Sequence, residues 1–156
     1  MRILLVCDGN ICRSPMAAAY MEHRVAREEI SRIVVDSAGL LGIEGAPASP
    51  AACMILHEEG IDLSRHRSRG LRAADLESAD LVLVMTSAQR AAIERRFAGL
   101  APRIELLRAY ESPPGPMREA LDLDDPMGCE VETYRECFRV IRACVDHLVL
   151  SLRKDA

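Results

Sequence analysis

No apolar run in this chain of 156 residues reaches the ~18 needed to cross a bilayer. The opening Met1-Arg2-Ile3-Leu4-Leu5-Val6 is too short for a secretory h-region and leads to no small-residue cleavage site, so a cytoplasmic location is expected. A basic excess is lacking too. The 20 basic and 24 acidic residues leave a net charge of −4, which argues against a nucleic-acid partner. Lysine is nearly absent, with Lys154 alone. The arginine skew suits bidentate phosphate contacts, but a biased genome gives the same skew and is the preferred cause. No tight Cys-x2-Cys pair occurs among Cys7, Cys12, Cys53, Cys129, Cys137 and Cys144. Without an export signal, reduced thiols are the default. Cys53 with His57 and Cys144 with His147 offer only two ligands each, so burial is the better reading and no metal is expected. Repeats, linkers and a second composition are absent. A chain 49% hydrophobic then reads as one domain over residues 1–156 with a full core.

What is present alternates apolar runs with amphipathic stretches. Ile3 to Val6, Ile33 to Val35, Leu81 to Val84 and Ile104 to Leu107 read as strands. The second strand ends at the turn-prone cluster Asp36-Ser37-Ala38-Gly39. Pro15 to about Glu29, Pro50 to Glu59 and Ser87 to Phe97 read as helices. A last helix carries Tyr134, Phe138, Ile141, Val145, Leu148 and Leu152 as one core stripe. Glu111-Ser112-Pro113-Pro114-Gly115-Pro116 opens an irregular loop reaching about Gly128. The alternation predicts an α/β fold: a doubly wound, four-stranded parallel sheet with helices on both faces. Sites in such sheets lie at the carboxyl ends of the strands.

The segment Val6-Cys7-Asp8-Gly9-Asn10-Ile11-Cys12-Arg13-Ser14-Pro15 follows the first strand and opens the first helix. Five residues separate Cys7 from Arg13, enough chain to wrap a tetrahedral anion with inward amide N–H groups. The helix N-terminus adds positive potential, and Arg13 a bidentate fork for phosphate oxygens. Gly9 permits backbone angles a bulkier residue would resist. Pro15 suits a first helical turn. The same field favours a thiolate at Cys7, which Ser14 can stabilise by a hydrogen bond. The plain alternative is a buried cysteine ending a strand. Gly9, Asn10 and Ser14 in a strand–loop–helix context favour the chemical reading.

Cys-x-Gly-Asn-Ile-Cys-Arg-Ser-Pro resembles the active-site loop of the low-molecular-weight protein tyrosine phosphatases, and the similarity runs over nearly the whole chain. The resemblance implies Cys7 as nucleophile, Arg13 as phosphate clamp, and Asp8, Gly9, Asn10, Ile11, Cys12 and Ser14 as the lining of the substrate site. Asp36-Ser37-Ala38-Gly39 matches a family motif, and His66 falls in a matching segment. Ser37 and His66 would then brace the loop together with Asn10 and Ser14. His66 alone, in the charged run His66-Arg67-Ser68-Arg69, reads as a surface residue.

Expulsion of an alkoxide, phenolate or guanidine needs a proton, and a positioned acid contributes about 10²–10⁴-fold. Asp124-Asp125-Pro126 lies on the long loop, where acidic residues are usually solvated. The family's Asp-Pro selects Asp125 as general acid, then as base toward water attacking the phosphocysteine. No cofactor or metal is implied, because Arg13 and the amides neutralise the dianion. The implied substrates are phosphorylated proteins.

Some positions divide the family's branches. Met127 follows the Asp-Pro where an aromatic is usual. Thr86 stands where tyrosine phosphatases commonly carry aspartate, and Ser78 to Thr86 is more similar to the bacterial protein arginine phosphatase branch. Asp8 puts a carboxylate at the pocket rim, where a guanidinium would be favoured. Ile11, inside the loop, matches the tyrosine branch, whereas the arginine branch typically has threonine. Phosphotyrosine is therefore the expected substrate and phosphoarginine the alternative. A thioredoxin-coupled arsenate reductase would need cysteines soon after the third strand, and Val84 to Glu111 has none. A non-catalytic phosphate binder would not need Cys7. Cys12 could capture oxidised Cys7 as a disulfide, or merely be packed.

Overall fold

The computed structural model describes residues 1–100, 102–111 and 121–154. Its strands β1 (Arg2–Cys7), β2 (Val34–Gly39), β3 (Leu81–Val84) and β4 (Ile104–Leu106) form one parallel sheet in the order β2-β1-β3-β4. The helices are α1 (Arg13–Arg27), α2 (Pro50–Glu58), α3 (Ala73–Ser78), α4 (Ser87–Arg96) and α5 (Val131–Lys154).

Strand alternation sorts the core into two layers. Ile3, Leu5 and Cys7 of β1 pack with Met16 and Met21 of α1, Ile55 and Leu56 of α2, and Phe138 and Ile141 of α5. Leu4 and Val6 point the other way, into a smaller core with Leu76 of α3 and Ile93 of α4. Apolar cover on both sides is why these strands read as continuous apolar runs rather than alternating ones. The stripe from Tyr134 to Leu148 is buried and Leu152 packs at its edge. Tyr20 of α1 meets Phe138 of α5 edge-on at 5.4 Å between ring centroids. The chain leaves β1 toward β2 on one side, then crosses to β3 on the other. The reversal places a crevice between the carboxyl ends of β1 and β3, where ligands bind in such sheets.

The doubly wound architecture is as the sequence implied, with local differences. β2 does not stop before Asp36-Ser37-Ala38-Gly39. It runs through that cluster, paired with β1 as far as Cys7 opposite Gly39. Helix α3 escaped the pattern because six residues show no helical period. Its start is fixed locally instead, Arg72 N–H donating to Asp75 at 2.9 Å. Leu107 opens a 3₁₀ turn, Leu107–Tyr110, rather than closing β4. Of the two Cys/His pairs, Cys144 is buried and Cys53 half-buried, but His57 and His147 are exposed. Ser112 to Pro116 lie outside the described residues.

Gly39 is set by a close approach of backbone. A Cβ there would stand 2.9 Å from Asn10 N, Asp8 O and Gly9 C, all backbone atoms of the loop that follows β1. Nothing flexible is available to yield. Gly39→Ala is expected to push that loop outward and cost about 1–3 kcal/mol. The urea midpoint should fall together with phosphate affinity, and an unchanged affinity would show that the loop does not depend on this contact.

Candidate active site

Residues Asp8 to Cys12 connect β1 to α1, and the amide N–H groups from Gly9 to Ser14 have no acceptor among the described residues. Such a run of free amides at a helix N-terminus is an anion-binding concavity. Its turn is made at Asn10, in the left-handed region with φ 56. Gly9, expected to supply that freedom, does not have a positive φ, and a Cβ on it would meet Ile11 Cδ1 at an ordinary 3.6 Å. Asparagine tolerates the left-handed conformation when its side chain bonds locally.

Asn10 is fully buried and every polar site of its side chain is used. Its amide donates to Ser14 Oγ at 2.8 Å and Ser37 Oγ at 2.9 Å. Its Oδ1 accepts the Arg69 N–H at 3.1 Å. Its carbonyl lies 2.7 Å from His66 Nε2, which must carry the proton because a carbonyl only accepts. Since Ser14 Oγ accepts from Asn10, its own proton is free for Cys7 Sγ, 3.1 Å away. The structure thus brings Cys7, Asn10, Ser14, Ser37 and His66 into one connected network.

The Arg13 side chain is 2% exposed. Nη1 donates to the Leu123 carbonyl at 2.9 Å, and Nη2 lies 3.1 Å from Asp8 Oδ2 and 3.3 Å from Asp125 Oδ2. Nε is buried and has no acceptor. A buried unpaired N–H costs about 1–3 kcal/mol, a cost an anion would remove. Asp125, not Asp124, reaches Arg13, and its Oδ1 takes the Met127 N–H at 3.1 Å. Cys12 is buried, its sulfur 3.3 Å from Tyr134 Oη. Burial pushes the Cys12 thiol up, the hydrogen bond to Tyr134 offsetting part of the rise. Burial, aided by the bond to Cys12, pushes Tyr134 up to about 12. Ile11 is half-buried, and a Cβ on Gly9 would touch both its side chain and that of Ile43.

Gln89 was not anticipated. Its Oε1 accepts the N–H groups of Met85 and Thr86 at 2.8 and 3.1 Å, and its Nε2 donates to Asp8 Oδ1 at 3.2 Å. The Thr86-x-x-Gln89 spacing of a capping box was the available signal.

A family model described as low molecular weight phosphotyrosine protein phosphatase matches residues 2–156. The chain belongs to that family. The probable low molecular weight protein-tyrosine-phosphatase EpsP of Ralstonia solanacearum is 36% identical over 151 residues, covering 97% of this chain and 95% of that protein. The protein-arginine-phosphatase of Geobacillus stearothermophilus is 36% identical over 154 residues, covering 99% and 97%. Among solved structures, a YwlE arginine phosphatase mutant with a phosphorylated active-site serine superposes with a TM-score of 0.90 at 32% identity, covering 99% of this chain and 97% of that one. The low molecular weight protein tyrosine phosphatase of T. tengcongensis does so with 0.85 at 33%, covering 97% and 99%. Among the described residues of this phosphatase-family member, no helix is long and apolar enough to cross a membrane.

Asn10→Ala removes three side-chain hydrogen bonds and keeps a β-carbon in a left-handed position. A loss of about 2–4 kcal/mol is expected. Asn10→Gly removes the same bonds without the strain, so its urea midpoint should lie between those of wild type and Asn10→Ala. Equal midpoints for the two variants would mean the conformation carries no strain.

Proposed function

We propose that this chain is a cysteine-dependent phosphatase acting on phosphotyrosine in proteins, formed as one catalytic domain over the whole chain. The observation that carries the reading is the line Asn10–Ser14–Cys7 beside a buried Arg13 whose Nε–H lacks a partner. Free amides and an unpaired guanidinium N–H call for an anion with several oxygens. A thiol at the floor of the same loop, held by a hydroxyl, supplies the nucleophile. Six unpaired cysteines suit a reducing cytoplasm.

The reaction follows from these placements. A phosphate dianion takes the loop amides and Arg13. The Cys7 thiolate attacks phosphorus as the P–O bond to the substrate breaks, and Asp125 gives its proton to the departing oxygen. Ser14 stabilises the sulfur both as thiolate and when it leaves again. Asp125 then removes a proton from water, which attacks phosphocysteine and releases inorganic phosphate and the thiolate. Gly9, Ile11 and Cys12 serve through the loop backbone and its rim. Ser37 and His66 act through Asn10.

Phosphotyrosine is favoured over phosphoarginine by what Asp8 and Thr86 already do. The Asp8 carboxylate is taken by Arg13 and Gln89. Thr86 Oγ1 accepts the Gln89 N–H at 3.2 Å as the cap of α4. Thr86 is committed to its helix, and Asp8 keeps one oxygen on Gln89 even when a dianion takes Arg13. The exposed surface nearby is apolar, with Leu41, Ile43 and Met127 in water, which suits an aromatic ring. The second reading, protein arginine phosphatase, rests on the 36% identity to a relative so named.

Cys7→Ser should abolish p-nitrophenyl phosphate hydrolysis and still bind vanadate, because the amides and Arg13 remain. Undiminished turnover would sink the mechanism. Ile11→Thr adds a hydroxyl without changing the β-branched outline and should shift kcat/KM toward phosphoarginine proteins by about tenfold to a hundredfold. Should wild type already prefer phosphoarginine, the second reading replaces the first.

A further inference from the structure

The segment bearing Asp125 is tied down just upstream of it. Asp122 Oδ1 accepts the Ser87 N–H at 2.7 Å, and Oδ2 lies 3.4 Å from Ser87 Oγ. The Asp122 carbonyl accepts from Arg108 Nη1 at 3.0 Å. At the next residue, the Leu123 N–H donates to the Met85 carbonyl at 2.8 Å, while its own carbonyl takes Arg13. Asp125 follows two residues later, with its side chain 43% exposed and held by Arg13 and the Met127 N–H. Little else sets its aim.

We propose that Asp122 is a positioning residue for the acid: its carboxylate, seated on the first amide of α4, fixes the backbone from which Asp125 reaches the phosphoryl group. The inference rests on the reading of Asp125 as general acid. Ser87 N–H is one of the orphan donors of a helix start, at the positive end of the helix dipole, and a carboxylate there makes a charge-assisted bond. Helix α4 already has its own cap, Thr86 taking the Gln89 N–H. The second cap comes from 35 residues away. It joins the end of β3, where Gln89 reaches Asp8, to the segment that carries Asp125. Both carboxylate partners of Arg13 are therefore aimed from the same helix terminus. A misplacement of about 1 Å at a reacting group can cost 10²-fold in rate, so this anchor bears directly on proton transfer.

A role confined to helix stability would slow all substrates alike, whereas a mis-aimed acid slows those with basic leaving groups. The test is kcat/KM across aryl phosphates from p-nitrophenyl to phenyl and alkylphenyl, with the vanadate inhibition constant alongside. Asp122→Ala removes the acceptor. Ser87→Pro removes the donor at a first helical position after an extended Thr86 (φ −139, ψ 155), where proline is tolerated. Each should lower kcat/KM on phenyl phosphate about tenfold or more, change it less than twofold on p-nitrophenyl phosphate, and leave vanadate inhibition unchanged. The double variant should be no worse than either single one, and Asp122→Asn, which keeps an acceptor oxygen, should recover most of the loss. Asp125→Asn is the reference and should show the steepest dependence. Uniform loss or no loss in both Asp122→Ala and Ser87→Pro, beside a steep Asp125→Asn, overturns the positioning role and leaves the acid in place. A flat series for Asp125→Asn overturns the acid assignment itself.

Discussion

The Arg13 guanidinium is shared between the loop after β1 and the segment carrying Asp125. Burying an arginine is tolerable only when its charge and its N–H groups find partners. Here they are the Leu123 carbonyl and the carboxylates of Asp8 and Asp125. Asp8 sits on the loop after β1 and Leu123 and Asp125 together on the other segment, so the charge fixes where these two meet α1. α1 holds Arg13 in place because Met16, Ala17 and Met21 bury its inner face against the sheet. Packing far below the site thus sets the position of a charge at its mouth.

Asn10 does for the loop what Arg13 does for the mouth. One side chain with two donors and one acceptor links α1, β2 and the Arg67–Gly70 stretch. The loop's shape is therefore imposed from three sides, not chosen by its own sequence. This arrangement leaves Ser14 with a spare proton next to sulfur. The network's purpose can be read in that remainder. Within this network, among the described residues, the groups left without a protein partner are the free amides and Arg13 Nε, which with Cys7 are those a phosphate ester would engage.

The sheet was legible from sequence because strands covered on both faces leave unbroken apolar runs, as in Leu81 to Val84. The loop was legible because Cys7, Asn10, Arg13 and Ser14 are close in sequence and their spacing carries the geometry. Gly39, Gln89, Arg69 and Leu123 were not. Their contributions are a missing side chain, a bridge between elements, and backbone groups aimed at residues 59 and 110 positions away. Apart from the Thr86-x-x-Gln89 spacing, none of these leaves a trace in the local sequence. Gly9 shows the opposite error, a glycine credited with a turn that Asn10 makes by bonding its side chain on both sides.

Asp8 and Asp125 together explain why the site is not simply a tight phosphate binder. A phosphate dianion must take Arg13 from two carboxylates already at 3.1 and 3.3 Å. That competition weakens ground-state binding of the anion. A binding module would gain from removing both acids. In an enzyme the same competition has a use. A dianion seated on Arg13 brings its negative charge close to Asp125, and two negative charges at short range are relieved when one of them holds a proton. On the proposed reading of Asp125 as general acid, that proton is the one the leaving oxygen takes. Transfer to sulfur leaves the phosphoryl group on Arg13 with the same two negative charges, so what has changed at Asp125 is the proton it has given up, and on the reading proposed above the emptied carboxylate faces the incoming water. On that reading one residue serves both half-reactions because the proton it gives to the leaving oxygen in the first is the one it regains from water in the second, while Arg13 holds the phosphoryl group in reach through both.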